Sequence, residues 1–578
     1  MEGTLVSLQA SEDSNLSDYG YDMVVATTQA AINATLKEYL YRMEAAEFIV
    51  YYKAIVTPVG TVDYVEANYQ DLVTLVGMDL FSIPQDATKR TQAQNDALRK
   101  AYEEGEFAFA FKAKMGIFDL EELDKLPPII ELIESDVTSI ANVKYKMFFD
   151  VFEIITLDEI RRQFVFSHLE QPKNAPWIFK FHVKLDLKSA EFNSLPEDIQ
   201  KQIKNMDPYT MFSIQQLYLD LNSTSLQDMP AIEGLSPSSE AYFVLCRVFI
   251  NTYFDQLRKS GGVIFGYTIA PSEPHYNETV IIKPTDFNFY ISAYGADSEK
   301  KDLYTLNYIV MTDGHKMPEF KKFTWDWVDA EDAKNMHGSM AINRTAMAKL
   351  ISDQLIVSMN GLLTQPKVDI DVNLIKASFK VWFEQYTAAK PGFELQNSGN
   401  PILKYSFSAR DEDSEYYGNW GNINVKYNVD SKVSFEGNKI KCSTRVWAYL
   451  HVNIDGGVTE GNVVDYTLTD EFQLYVDEKG KLLFDHKLDK GEDKASIDGS
   501  TWAKIITFGG VNDVINSMKK YIKGKVDKYT ANYSSQMSKA LSNSLCWVFP
   551  GGTSFTYKDA KFSKKQDLIV DITYAKPD

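Results

Sequence analysis

The most regular apolar pattern lies near the end of the chain and predicts one long amphipathic helix over Val511–Leu545. Apolar side chains recur there in steps of three or four residues, at Val511, Ile515, Met518, Ile522, Val526, Tyr529, Tyr533, Met537, Leu541 and Leu545. This spacing forms one stripe along an α-helix. At ~1.5 Å per residue the helix would be roughly 50 Å long, so the element that covers the stripe should be elongated. Any kink is expected at Gly524.

Other long helices are predicted over Tyr21–Met43, Pro237–Lys259 and Ser339–Leu363. Apolar positions alternate elsewhere, which is typical of half-buried strands. The densest ladder of predicted strands comprises Val368–Val372, Ser378–Gln385, Lys404–Ala409, Ile423–Tyr427, Val433–Glu436, Lys439–Asn453, Asp465–Asp477 and Lys481–Lys487. Because their connections are short, we expect an antiparallel sheet. This sheet is the predicted partner of the last helix, with the segment Trp547–Thr556 closing over it.

One order of elements is predicted twice along the chain. Helix, many strands, helix and few strands span about residues 17–312, and the same order spans 338–574. This repetition favours two related modules over one irregular domain. We therefore predict a flexible N-terminus over 1–16, a first module over 17–325 and a second over 326–578.

Composition narrows the class of protein. Of 578 residues, 44% are hydrophobic and 24% are charged, as in soluble globular proteins. The net charge of −20 argues against a general nucleic-acid binder, because such proteins neutralise phosphates with Lys and Arg. The chain begins without a basic segment followed by an apolar core, and it contains no run of eighteen apolar residues. We therefore expect a soluble protein that is cytoplasmic, or released without a classical signal peptide.

Known motifs for catalysis, metal binding and cofactor binding are missing from the sequence. The seven histidines never pair at the spacing of a zinc-binding helix, and the three cysteines are too scattered for a thiolate metal site. Phosphate-binding glycine loops and G-x-S-x-G are also missing. We predict no metal and no cofactor. The acidic run Asp411–Glu415 is interpreted as a solvated loop, and Trp325 and Trp327 as residues that fix a linker to a core, although two such indoles could also bind a sugar or lipid.

Five lysines on the last predicted helix locally reverse the charge of this acidic chain. They are Lys519, Lys520, Lys523, Lys525 and Lys528, opposed only by Asp527. A basic face beside an apolar stripe is typical of helices that dock on anionic lipid head groups. The alternative is a solvated face whose lysine stems cover apolar surface.

Several stretches, from the first part of the chain to the last, resemble one known family. They are Gly20–Ala26 with Ile32-Asn33, Leu306–Thr312, Phe323–Val328, Gly338–Arg344, Trp547–Thr556, Phe562-Ser563 and Gln566–Leu568. They are similar to the forty-seven-kilodalton accessory proteins encoded beside clostridial neurotoxins and to their OrfX relatives, a group within the tubular lipid-binding (TULIP) superfamily. The resemblance implies an elongated α+β fold, with long amphipathic helices wrapped by curved antiparallel sheets and apolar tunnels between helix and sheet. It also implies a protein without catalytic activity, and here an insertion within residues 80–205.

These observations predict a non-enzymatic protein that binds or carries lipid or another hydrophobic ligand in such a tunnel. The predicted lining residues are Ile32 and Leu36 on the first helix, Ile342 and Leu350 on the third, and Met518 and Ile522 on the last. The five lysines would dock the protein on an anionic membrane surface. One alternative is a toxin-accessory scaffold that binds a toxin or related protein without any ligand. A second is a carbohydrate-active β-rich enzyme, which would need two carboxylates about 5–10 Å apart in a groove.

Overall fold

The chain folds as an α+β protein in which antiparallel sheets dominate. The computed structural model describes residues 9–42, 47–117, 126–136, 141–161, 163–172, 175–190, 193, 195, 197, 200–201, 212–220, 231–259, 264–271, 284–295, 297–372, 377–417, 420–454, 457–497, 511–530, 537–538, 547–548 and 555–574. The helices in these ranges are α1 (Ala10–Asp13), α2 (Leu16–Tyr19), α3 (Gln29–Arg42), α4 (Tyr69–Val76), α5 (Gln92–Glu103), α6 (Glu240–Val244), α7 (Ile250–Lys259), α8 (Arg344–Leu362) and α9 (Val511–Lys528), with a π-helical turn, Leu245–Phe249, joining α6 to α7.

The strands follow in chain order. They are β1 (Met23–Thr28), β2 (Phe48–Val56), β3 (Val62–Ala67), β4 (Phe107–Met115), β5 (Ile130–Leu132), β6 (Ala141–Met147), β7 (Phe149–Ile160), β8 (Gln163–Glu170), β9 (Ile178–Ala190), β10 (Phe212–Asp220), β11 (Ala231–Glu233), β12 (Ile264–Pro271), β13 (Pro284–Ser292), β14 (Thr305–Thr312), β15 (Gly338–Ile342), β16 (Thr364–Val372), β17 (Ala377–Gln385), β18 (Glu394–Leu395), β19 (Leu403–Tyr416), β20 (Trp420–Glu436), β21 (Lys439–Ile454), β22 (Gly457–Val476), β23 (Leu482–Lys490), β24 (Trp547–Val548), β25 (Phe555–Phe562) and β26 (Leu568–Tyr574).

A six-stranded antiparallel sheet joins the beginning, the middle and the end of the chain. Its order is β13-β14-β1-β15-β26-β25. Met23 and Val25 of β1 pack into the largest apolar core, whereas Val24 and Ala26 face a second apolar cluster. The second cluster also contains Trp325. This sheet therefore has a core on each face, and it combines strands from both sides of the predicted boundary at residue 325.

Burial on both faces explains two wrong helix predictions. We predicted that helices begin at Tyr21 and at Ser339, but β1 and β15 occupy the first part of each range and only then do α3 and α8 begin. Every residue of β1 and of β15 is buried. A strand covered on both faces has no polar alternation, so periodicity alone cannot separate it from the start of an adjoining helix. Ile342 accordingly lies on a strand, not on the third helix.

A buried polar cluster links this sheet to the start of α8. The carboxylate of Asp567 accepts hydrogen bonds from Ser14 Oγ at 2.8 Å, from the backbone N–H of Leu16 at 2.6 Å and from the backbone N–H of Arg344 at 3.0 Å. Asn343 caps α8 by accepting from Thr345 N at 2.7 Å. Burial raises the pKa of Asp567 to about 6, although these hydrogen bonds oppose the shift. Asp567, Asn343 and Arg344 belong to the stretches that carry the family resemblance.

Two further sheets are built from the first part of the chain, apart from the short strand β24. A five-stranded sheet has the order β3-β2-β4-β7-β8, and a larger one has the order β24-β12-β10-β9-β6-β5, with β11 paired to β9. The π-helical turn places Phe249 against Phe111, Phe149 and Phe152, with ring centroids 4.8–5.8 Å apart. These aromatic contacts fix the α6–α7 helix in the largest core.

The ladder of strands predicted after Pro366 is present. It forms the sheet β18-β19-β20-β21-β22-β23 beside the hairpin β16–β17, and all of these pairings are antiparallel. The two strands predicted over Ile423–Tyr427 and Val433–Glu436 are one strand, β20, because the buried positions continue through Val429 and Ser431. The last helix, α9, packs against β17 and β22 of this region, as predicted.

The acidic run is not a solvated loop. Asp411, Asp413 and Glu415 lie at alternate positions of β19, and their carboxylates accept the backbone N–H groups of β16 at Val368, Ile370 and Val372. The three distances are 3.0, 3.1 and 2.7 Å in that order. Side chains thus satisfy backbone donors that β16 does not pair with another strand. The partners are 43 residues upstream in sequence, which is why local charge density did not reveal them.

The last helix is shorter than predicted. It ends at Lys528, so its 18 residues span about 27 Å instead of ~50 Å. Tyr529 and Thr530 are not helical, and of the predicted remainder only Met537-Ser538 is described, as helix. The segment Trp547–Thr556 was predicted to close over the strand ladder. Trp547 and Val548 instead form β24 and pair with β12 in the first half of the chain, whereas Thr556 lies against Gly480 of the ladder. The positions 549–554 lie outside the described residues.

Candidate ligand-binding groove

The six predicted tunnel residues are all buried in protein. Ile32, Leu36, Ile342, Leu350, Met518 and Ile522 are each at most 7% exposed, and all belong to the same apolar core. Their burial explains the apolar stripes from which they were predicted. Whether any of them contacts a ligand stays a prediction. A cavity lies beside this core, and none of the six residues lines it.

This cavity is a groove between the C-terminal half of α8 and the exposed face of α9. Its volume is about 760 Å³, within the range of roughly 300–1,000 Å³ typical of small-molecule sites. The lining residues are Val357, Ser358, Gly361 and Leu362 from α8, Ser517, Lys520, Tyr521, Gly524, Lys525 and Lys528 from α9, and Tyr529 and Thr530 beyond it. The α9 positions recur in alternating steps of three and one residues and so form one helix face.

Three of the five predicted head-group lysines line the groove. Lys520 and Lys528 are exposed on its rim, and neither has an ion-pair partner among the described residues. Lys525 is half-buried, and its Nζ donates to the carbonyl oxygen of Gly361 at 3.2 Å. That contact places a positive charge at the C-terminal end of α8, where the helix dipole favours it. Lys519 and Lys523 do not line the groove.

Each of the two helices contributes one glycine to the groove lining. A Cβ atom placed on Gly361 or on Gly524 would have no atom within 4 Å. Glycine inside a helix costs roughly 1 kcal/mol relative to alanine, so its presence at both positions is not favoured by helix formation. The missing side chains widen the groove. The predicted kink at Gly524 is not needed to explain this residue, because α9 continues through it to Lys528.

Two tyrosines fix α9 to the sheets. The Tyr521 ring stacks on Phe383 with centroids 4.7 Å apart and an interplanar angle of 8°. Tyr529 is buried, and its hydroxyl donates to Asp470 Oδ2 at 2.7 Å. Ser358 Oγ on α8 donates to the carbonyl oxygen of Thr530 at 2.6 Å, which ties the two walls together just beyond the end of α9. These tertiary contacts also account for the end of the helix.

Asp470 is buried and holds Tyr529 in place at the end of the groove that lies beyond α9. It lies on the inward face of β22, and His486 Nε2 lies 2.9 Å from its other carboxylate oxygen. Burial raises the pKa of Asp470, while the hydrogen bonds from Tyr529 and His486 oppose the shift. Burial also raises the pKa of the Tyr529 hydroxyl, which keeps it a neutral donor. We did not predict this cluster, although an aspartate among the inward positions Leu468 and Phe472 was a visible signal.

Other candidate chemistry is accounted for by the fold. Trp325 and Trp327 are buried in the second apolar cluster with ring centroids 5.7 Å apart, so they fix the Phe323–Val328 segment to a core. Across the described ranges, no group of His, Cys, Asp and Glu is arranged to hold a metal ion. No helix in those ranges is both long and apolar enough to cross a membrane.

Comparisons with known proteins identify no family for the chain. No protein-family profile matches it, and no curated protein matches it. Among solved structures, a crystal structure of lipopolysaccharide binding protein matches 96% of this chain and 99% of its own, with 10% identity and a TM-score of 0.27. A TM-score of this size carries no argument about fold or ligand. The α+β, antiparallel fold class is confirmed by the structure itself, and the resemblance to the tubular lipid-binding group stays a prediction.

Proposed function

We propose that this protein binds, without catalysis, an amphiphilic lipid-like ligand with an anionic head group in the groove between α8 and α9. The main support for this proposal is the composition of the groove wall. Among the described residues, Lys520 and Lys528 have no ion-pair partner, and Val357 and Tyr521 supply apolar surface beside them. In a chain with a net charge of −20, a cationic groove selects for an anion.

The ligand would be held in two parts. Its head group would pair with the Lys520 and Lys528 ammonium groups, which the structure leaves without ionic partners in its described part. Its hydrocarbon part would cover Val357, which is 64% exposed, and exchange water for contact with the helix walls. Two more specific functions extend this proposal. The protein would carry a whole lipid in an internal tunnel, and its lysine face would dock on a membrane.

A fluorescent fatty acid tests the charge requirement. We expect cis-parinaric acid to bind the wild type and its methyl ester to bind more weakly, because only the acid offers a carboxylate to the lysines. The double variant Lys520→Glu/Lys528→Glu should weaken binding of the acid at least tenfold, a difference of about 1.4 kcal/mol. Titration of probe fluorescence at fixed protein concentration measures both dissociation constants.

The matched control is Lys519→Glu/Lys523→Glu, which changes the charge of the same helix equally but outside the groove lining. It should leave binding of the acid within about twofold of wild type. Equal weakening by the two double variants would show long-range electrostatics instead of a site. Equal affinity of the wild type for acid and ester would remove the head-group role of the lysines.

Filling the groove at Gly524 tests its location. The variant Gly524→Leu should abolish binding of both acid and ester, because the new side chain occupies the open space at this position. Folding should not suffer, since leucine is favoured over glycine in a helix by roughly 0.8 kcal/mol. Thermal unfolding and probe titration measure the two effects. Asn516→Leu adds the same side chain to an exposed position of α9 outside the lining and should bind normally. Normal binding by Gly524→Leu would place the ligand elsewhere.

A further inference from the structure

The hairpin formed by β2 and β3 ends in an exposed apolar tip, residues 54–62. Ile55, Val56, Val59 and Val62 are 39%, 70%, 85% and 52% exposed. No Asp, Glu, Lys or Arg occurs among these nine residues. Single exposed aliphatic residues are ordinary, but four on one uncharged tip form an apolar surface that no described part of the chain covers.

Part of the backbone of the tip is hydrogen-bonded within the tip. Thr57 N donates to Thr61 O at 2.7 Å, and Gly60 N donates to Thr57 O at 2.9 Å. Thr61 N donates to Thr57 Oγ1 at 3.2 Å, and the two threonine hydroxyls lie 2.7 Å apart. Pro58 has no N–H to satisfy. Internal hydrogen bonds lower the cost of moving a segment from water into lipid, and Thr57, Gly60 and Thr61 supply such bonds here.

A second exposed hairpin lies at the same end of this sheet. Because β2 and β7 are both antiparallel to β4, the β2–β3 and β7–β8 hairpins turn at one end. The β7–β8 hairpin carries Ile160 and Val165, which are 55% and 46% exposed. Between the two hairpins, the connection into β4 carries the exposed residues Glu103, Glu104 and Glu106.

The charged residues at this end of the five-stranded sheet indicate what kind of surface can bind there. The exposed Asp158, Glu159 and Arg161 of the β7–β8 hairpin lie at this end too. The exposed carboxylates therefore outnumber the exposed arginine and would repel an anionic membrane surface. A second copy of the chain could pair with the free edge of β3. In the antiparallel register centred between Tyr64 and Val65, Asp63 of one copy would lie opposite Glu66 of the other, and this pairing of like charges is unfavourable. An electrically neutral, zwitterionic lipid surface meets neither obstacle.

We infer that this end of the five-stranded sheet docks on a zwitterionic lipid surface, with the tip 54–62 entering it. Val59 lies three residues beyond the Val56–Val62 pair, which corresponds to at most ~10 Å because residues 58–60 form a turn. That depth matches the 5–10 Å or so to which interfacial elements bury their apolar face. The Lys53–Glu106 ion pair, 3.6 Å long at the base of the hairpin, would remain in water. This site is independent of the groove between α8 and α9.

Cosedimentation with phosphatidylcholine vesicles tests the inference. Wild type should bind, and Val56→Asp/Val59→Asp should reduce the partition coefficient at least tenfold, because each aspartate would have to enter lipid. The exposed tip packs on no core, so circular dichroism and thermal unfolding should be unchanged. Adding phosphatidylserine to the vesicles should not strengthen binding. The variant Val59→Trp should gain fluorescence quenching by brominated phosphatidylcholine that the wild type lacks.

Two controls separate this surface from other sites. Val458→Asp/Tyr475→Asp places the same charges on exposed apolar positions of β22 and should bind vesicles as the wild type does. Lys520→Glu/Lys528→Glu should also bind phosphatidylcholine normally, so loss of the groove function leaves this result intact. The inference is overturned if the tip variant binds vesicles as well as the wild type, if binding requires phosphatidylserine, or if the tip variant instead abolishes self-association of the wild type.

Discussion

The substitution Gly338→Ala is expected to destabilise the protein by more than about 3 kcal/mol, or to prevent folding. A Cβ atom on Gly338 would lie 2.1 Å from the carbonyl oxygen of Ala26 and 3.1 Å from the Cα of Thr27. Both obstacles are backbone atoms of β1, which pairs with β15 at this position. Because β1 is buried and held by β14 on its other edge, it cannot move aside without disturbing the whole six-stranded sheet.

Urea unfolding and the yield of soluble protein measure this effect. The comparison variant is Gly361→Ala, which adds the same methyl group where nothing lies within 4 Å. That variant should be as stable as the wild type or slightly more stable, because alanine favours the helix. A Gly338→Ala protein that unfolds at the wild-type urea concentration would show that the sheet adjusts more freely than its packing indicates.

The substitution Asp567→Asn should cost about 1–3 kcal/mol at pH 7. The carboxylate accepts three hydrogen bonds, one of them from the backbone N–H of Arg344 at the start of α8. An asparagine has one acceptor oxygen, so its NH₂ group would face a donor in place of an acceptor. The first turn of α8 would then lose a partner for one of its free N–H groups. Urea unfolding of both proteins gives the difference in unfolding free energy.

This difference should also depend on pH, with a defined sign. Burial raises the pKa of Asp567 to about 6 in the folded protein, compared with about 3.9 in an unfolded chain. The folded state therefore binds the proton more tightly, and the stability that Asp567 contributes falls as the pH rises from about 4 to about 6. Asparagine does not titrate. The wild type should therefore exceed the variant by more at pH 4.5 than at pH 7, and a larger difference at pH 7 would contradict the assignment.

The strand ladder shows what local pattern can predict. From Thr364 to Lys490 one face of each strand is buried and the other meets water, so apolar and polar residues alternate. Side-chain alternation is a property of the strand itself, and it located this sheet, although β19 continues beyond its predicted end at Ala409 to Tyr416 and β22 begins at Gly457, before its predicted start at Asp465. The same logic failed for β1 and β15, because a core on each face removes the alternation.

The candidate groove was predictable only in part. The lysine cluster is visible in the sequence because its members share one helix, and Lys520, Lys525 and Lys528 do line the groove. The other wall, at Val357 and Gly361, comes from a helix more than 150 residues upstream. No periodicity relates the two helices. The contribution of Gly361 and Gly524 to the width of the groove is therefore visible only in the folded structure.

The sequence by itself determined the α+β class, the antiparallel ladder, the stripe of the last helix and its reversal of charge. These features follow from the spacing of side chains along a single element, which the chain carries locally. The tertiary structure alone decided where the helix ends, which lysines meet a cavity, and why Asp470 and the acidic strand β19 lie where they do. Each of these depends on hydrogen-bond partners and packing surfaces supplied by distant parts of the chain, such as Tyr529 for Asp470 and the N–H groups of β16 for β19.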